Sequence, residues 1–162
     1  MTGGILSGGE PMSTGEWQEH QEPEIDARHL LLCREVGFDP SQPYSPYILR
    51  GSLSLFYPVG DFPVVWHEPV YLYVEFFGDA GEFEIWFDLV RYVFGEDGEI
   101  ADEVDEGCYG PFELRLPPAT FVQGRSYPLK KLPLPAPEVY EVQLRIAGKY
   151  DVLASTRFLV EE

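Results

Sequence analysis

The chain has 162 residues and a mass of 18.4 kDa; 44% of it is apolar and 15% aromatic, enough for one well-cored domain. Its 28 Asp and Glu against 11 Lys and Arg leave a net charge of -17, which argues against nucleic acid and anionic membranes as partners, since both require a cationic face. No apolar run approaches the roughly 20 residues of a membrane helix.

The acidity is uneven along the chain. Residues 1–25 carry five Glu and no base, and their Gly-rich, Glu-rich composition predicts a disordered acidic tail. The opening MTGGILSGGEPMSTGEW has neither a basic region nor an apolar run of signal-peptide length, so the expected location is the cytoplasm. Met12 is a candidate alternative start, which would shorten that tail. The remaining residues, 26–162, read as one domain.

From about residue 28 onward, short runs of Val, Ile, Leu, Tyr and Phe are punctuated by Pro and Gly, and no helical period is sustained. The candidate strands are 28–36, 48–57, 70–77, 82–94, 110–116, 120–123, 138–147 and 151–160. This spacing predicts an antiparallel sandwich or barrel. The first strand contains Leu30-Leu31-Leu32-Cys33, where Cys33 reads as a small buried hydrophobe. Cys108 is the only other cysteine, and His20, His29 and His67 are scattered, a pattern unlike a structural zinc site. His67, at a strand entry before Glu68-Pro69, reads as a surface or turn residue.

Between 70–77 and 82–94 lies Gly78-Asp79-Ala80-Gly81, a turn signal, which predicts a hairpin pairing Phe77 with Glu82. That register sets Phe76 against Phe83, Val74 against Ile85, Leu72 against Phe87 and Val70 against Leu89 on one face. The other face then pairs Tyr73 with Trp86, Glu75 with Glu84 and Tyr71 with Asp88. These six residues are the candidate binding surface. A neighbouring strand could supply Arg115 or Arg145 to neutralise the carboxylates. Alternatively, the exposed aromatics could receive a protein partner or a second copy. A glycosidase-like acid pair is rejected, because a flat sheet face has no cleft.

Residues 96–106 hold seven acids and no base. They are expected to form an acidic loop insertion, and Asp97, Glu99, Asp102 and Asp105 are candidate Ca2+ ligands in the manner of a C2-like module. The order is not that of an EF-hand. Residues 132–137, LPLPAP, cannot form an interior strand, because proline removes ladder donors; they are expected to cross between sheets. The last two strands turn at Gly148-Lys149-Tyr150. Their predicted register pairs Leu144 with Ala154, Val142 with Thr156, Tyr140 with Phe158 and, on the opposite face, Glu141 with Arg157.

LLLC at 30–33, FPVV at 62–65, VYLYVEF at 70–76 and the closing EVYEVQLRIAGKYDVLASTRFLVEE resemble a family of small bacterial β-sandwich proteins grouped as a domain of unknown function. The resemblance covers roughly residues 28–162. It implies an all-β, antiparallel immunoglobulin-like β-sandwich of about eight strands and brings no catalytic residue with it. The expected function is therefore a non-enzymatic protein-interaction or self-association module without a cofactor. The alternative is a Ca2+-dependent binding module using the acidic loop.

Overall fold

The computed structural model describes residues 22–118 and 122–162. Eleven strands run through them: β1 (Ile25–Asp39), β2 (Gln42–Ser52), β3 (Leu55–Phe56), β4 (Val64–Trp66), β5 (Val70–Gly78), β6 (Gly81–Phe94), β7 (Ile100–Leu116), β8 (Gln123–Leu129), β9 (Leu132–Leu134), β10 (Val139–Ile146) and β11 (Ala154–Val160). One sheet has the order β2-β1-β5-β8, a second β3-β11-β10-β6-β7, and β4 pairs with β9 as a two-stranded ribbon. The all-β expectation holds. The expected tail lies outside the described residues up to position 21, and the sheet already begins at Ile25, which is buried.

The two large sheets share one core. Leu72, Val74 and Phe76 of β5 and Tyr127 and Leu129 of β8 contribute from the first sheet. Ile85, Phe87 and Leu89 of β6 and Val142 and Leu144 of β10 contribute from the second. Phe87 ties them together, its ring 5.3 Å from Tyr127 on the first sheet and 5.8 Å from Phe112 on its own.

The predicted 70–89 hairpin is corrected. β5 and β6 belong to different sheets, so Gly78–Gly81 is a crossing and not a hairpin turn. The reason lies at Gly78, whose φ of +133° suits glycine and where a Cβ would stand 2.4 Å from the carbonyl oxygen of Glu24. Asp79 donates its amide to that same oxygen at 2.7 Å, and its carboxylate accepts the Glu24 amide at 2.9 Å. These bonds bind the end of β5 to β1, and the chain leaves for the opposite sheet. Alternation is identical in a hairpin and in such a crossing. The inward residues were therefore correctly chosen, but they meet across the sandwich instead of along a ladder.

The closing hairpin has the predicted register, including Tyr140–Phe158, Glu141–Arg157, Val142–Thr156 and Leu144–Ala154. At the start of β10, Tyr140 is fully buried and reaches back four residues. Its hydroxyl donates to the Ala136 carbonyl at 2.8 Å and accepts the Ala136 amide at 3.2 Å. This pins the proline-rich entry segment to the strand it feeds. Within that segment, Leu132–Leu134 forms β9, with Pro133 opposite Val65. A two-stranded ribbon tolerates the proline that an interior strand would not.

The acidic segment is also corrected. Only residues 95–99 turn; Ile100–Glu106 continues as β7, with Asp102 opposite Val93, Glu103 opposite Tyr92 and Asp105 opposite Val90. It escaped recognition because carboxylates are poor strand formers. Here they lie on the outermost strand of a sheet, where charge discourages unwanted pairing. The expected 48–57 strand divides into the end of β2 and β3. The expected 120–123 strand has its first two residues outside the described ones, and its last opens β8.

Candidate functional site

The six candidate surface residues do not form one surface. Glu84, Trp86 and Asp88 lie on the outer face of the five-stranded sheet, and Tyr71, Tyr73 and Glu75 on the outer face of the other. The pairs Tyr73–Trp86, Glu75–Glu84 and Tyr71–Asp88 are absent because β5 and β6 share no ladder. Glu84 stands opposite Glu113 instead.

On the five-stranded sheet, the alternation that turns Phe87, Leu89, Val142 and Leu144 inward turns Asp88, Glu141, Gln143 and Arg145 outward. The last four side chains and their neighbours form a continuous hydrogen-bonded lattice. Arg145 pairs with Asp88 at 2.8 Å and donates to Gln143 Oε1 at 3.1 Å. Gln143 donates to Glu141 Oε1 at 3.2 Å. Glu141 is also held by Arg157, and accepts the Tyr92 hydroxyl at 2.9 Å. The lattice therefore contains two carboxylates and two guanidiniums. Of the two arginines offered as neutralising partners by the sequence, Arg145 serves Asp88, and Arg115 serves Glu82 at 3.4 Å.

Glu141 is 5% exposed, although it sits on an outer face. Burial alone would raise its carboxyl pKa, but hydrogen bonds from Arg157, Tyr92 and Ser155 prevail and hold it below the ordinary range. A depressed folded value means that the stabilisation is present above the unfolded value of about 4.3 and is lost as pH falls through the folded value. Denaturant midpoints measured downward from pH 6 should therefore fall more steeply for the natural protein than for Glu141→Gln. Parallel curves would contradict this assignment. On the same face, burial and then the neighbouring Asp88 push the Cys108 thiol up to about 11, so it carries little thiolate at neutral pH.

The outer face of β5 is covered. Tyr73 and Cys33 are 2% and 1% exposed, yet both lie outside the main core cluster. The Tyr73 hydroxyl donates to Glu75 at 2.9 Å, and Arg28 pairs with the other Glu75 oxygen at 2.9 Å. Burial, followed by that carboxylate, raises the Tyr73 pKa. Cys33 is the small buried group its sequence setting predicts, with its thiol pKa raised by desolvation. His67 is exposed between β4 and β5.

Asp97, Glu99, Asp102 and Asp105 do not converge. Asp97 accepts the amide of Glu99, Asp102 that of Glu103 and Asp105 that of Gly107, at 2.9 to 3.1 Å. Along a strand, three residues span about 10 Å, too far for a common ion. Among the described residues, no three His, Cys, Asp or Glu lie close enough to hold a metal.

Two groupings were not anticipated. Arg91 bridges Glu106 at 2.5 Å and Glu138 at 2.6 Å, and all three side chains are at most a quarter exposed. Tyr92 completes the shell of Glu141. Both depend on β6 lying between β7 and β10, an arrangement with no local signal. The Tyr140 bond did have one: a tyrosine opening an apolar strand just after a proline-rich segment. Compared with family models, curated proteins and solved structures, the chain matches none.

Proposed function

We propose that this protein is a non-enzymatic, cytoplasmic self-association module that receives a second copy on the outer face of its five-stranded sheet. One observation carries this reading: in a chain of net charge -17, the Asp88–Arg145–Gln143–Glu141–Arg157 lattice is charge-balanced and hydrogen-bonded. Two such faces can meet without burying an uncompensated charge. A two-fold contact can also set the arginines of one copy against the carboxylates of the other. Trp86, half-buried at the edge of the lattice, adds an aromatic anchor. The surface chosen from sequence thus retains Trp86 and Asp88, whereas Glu84, opposite Glu113, lies outside the charge-balanced lattice and the β5 half is lost.

The finer fold assignment belongs to the same proposal. In chain order, β1, β5 and β8 take the places of strands A, B and E of an immunoglobulin-like sandwich. β7, β6, β10 and β11 take those of C′, C, F and G. The Tyr140 bond to Ala136 has the form of a tyrosine corner. Both features favour the immunoglobulin-like reading and agree with the bacterial sandwich resemblance.

The test is sedimentation equilibrium as a function of salt. Beyond the lattice the copies repel, so association should strengthen as the Debye length shrinks from roughly 30 Å at 0.01 M to roughly 8 Å at 0.15 M. Arg145→Glu should abolish the dimer, and Trp86→Ala should weaken it at least tenfold, with both variants folded by circular dichroism. A monomer of 18.4 kDa at every concentration and salt would overturn the proposal.

A further inference from the structure

β1 and β5 run side by side from Ile25 opposite Gly78 as far as Cys33 opposite Tyr71. There they part. β1 continues along β2, with Glu35 opposite Arg50 and Asp39 opposite Gln42, while the chain entering β5 bends at Glu68. In a continued register Pro69 would stand opposite Glu35, and a proline has no amide hydrogen to give a ladder. The parting strands leave a cleft of about 430 Å³, lined by Arg34, Glu35 and Val36 on one side and Glu68, Pro69 and Tyr71 on the other. That volume falls within the roughly 300–1,000 Å³ of small-molecule sites.

The walls combine both signs of charge with apolar surface. Glu35 is engaged by Arg50 of β2 at 3.8 Å. Arg34 and Glu68 add a further cation and a further anion, and neither forms an ion pair with another described residue. The arm of Arg34 is laid across β2. A Cβ on Gly51, whose φ is +62°, would stand 3.2 Å from the Cγ and Cδ of Arg34 and 3.3 Å from its Cβ. Glycine at this position makes room for the arm, so packing on β2 sets its course before any ligand arrives. Val36, Pro69 and the ring of half-buried Tyr71 supply the apolar part. Tyr71, chosen from sequence for an aromatic binding surface, finds its place here.

We infer that this cleft binds a free α-amino acid with an apolar side chain. The Arg34 guanidinium donates to the ligand's carboxylate, a planar pairing that arginine can make through two hydrogen bonds. The Glu68 carboxylate accepts from the ligand's ammonium group, and the side chain lies against Val36, Pro69 and Tyr71. A zwitterion suits these walls because it compensates both protein charges at once. It also carries no net charge, so a chain of -17 does not repel it as it would a simple anion. The cleft is built on β1 and the entry to β5, on the opposite sheet from the proposed docking face.

The test is isothermal titration calorimetry of the full chain with L-leucine and L-phenylalanine. Both should bind, one molecule per chain, and glycine should bind about tenfold more weakly or worse for want of a side chain to bury. Arg34→Gln and Glu68→Gln should each weaken L-leucine by about tenfold or more, the loss expected of a charge-assisted contact. Both positions are exposed, so the urea midpoint should stay in place. Two analogues separate the roles. Leucinamide, which lacks the carboxylate, should bind more weakly than leucine and lose nothing further to Arg34→Gln; N-acetyl-leucine, which lacks the ammonium, should behave in the same way toward Glu68→Gln. No heat from either amino acid at about 10 mM, well above a millimolar Kd, overturns the inference. Binding that both substitutions leave unchanged also overturns it, as does N-acetyl-leucine binding as tightly as leucine, which would make the cleft a plain carboxylate site.

Discussion

Replacing Arg91 with methionine is expected to lower the unfolding free energy by about 2 to 3 kcal/mol. The guanidinium stands between Glu106 and Glu138, with the three side chains 18%, 16% and 25% exposed. Removing one partner from a fully buried pair costs roughly 3–5 kcal/mol, and partial solvation here reduces that loss. The two carboxylates left behind would face each other with no cation between them. Urea titrations at neutral pH measure the loss, and adding Glu106→Gln to the variant should recover part of it.

Phe87→Ala should cost more, about 3–5 kcal/mol, the usual range for a buried phenylalanine. Its side chain is fully buried, and its ring meets Tyr127 from the opposite sheet and Phe112 from the adjacent strand. Phe112 and Tyr127 also touch each other at 5.0 Å. Alanine would thus leave a cavity beside two rings held by strands of different sheets, Phe112 and Tyr127, which cannot collapse without shifting a sheet. The midpoint of thermal unfolding should fall by roughly 10 °C. Phe94→Ala is the control: this phenylalanine, at the free end of the same strand, is 46% exposed and should change stability by no more than about 0.5 kcal/mol.

The proposed docking face on β6, β10 and β11 is cross-linked by side-chain bonds spanning three strands, which fixes the geometry it would present to a second copy.

What could be read from the residues in order was whatever depends on alternation and on short turns. The register of the closing hairpin from Tyr140–Phe158 to Leu144–Ala154 was legible because a slip would turn Tyr140, Val142 and Leu144 outward, whereas the expected three-residue loop, with Ile146 opposite Val152, is instead a longer connection between Ile146 and Ala154. The inward residues of β5 and β6 were legible for the same reason. The acidic β7 was not, because its ladder partner supplies the apolar character that its own residues lack. The short β4–β9 ribbon was not either, since prolines obscure strand character.

The all-β character, the inward residues of β5, β6 and β10, and the Glu141–Arg157 pair follow from local patterning alone. Which strands are neighbours follows from long-range packing. Gly78–Gly81 can close a hairpin or cross a sandwich with the same alternation on either side, and a contact with Glu24, more than fifty residues earlier in the chain, decides between them. That decision separated the two halves of the predicted surface, leaving Trp86 and Asp88 on the outer face of the five-stranded sheet and Tyr73 buried on the other sheet. Periodicity encodes the direction of a side chain, whereas a binding surface depends on what lies beside it, which long-range packing sets.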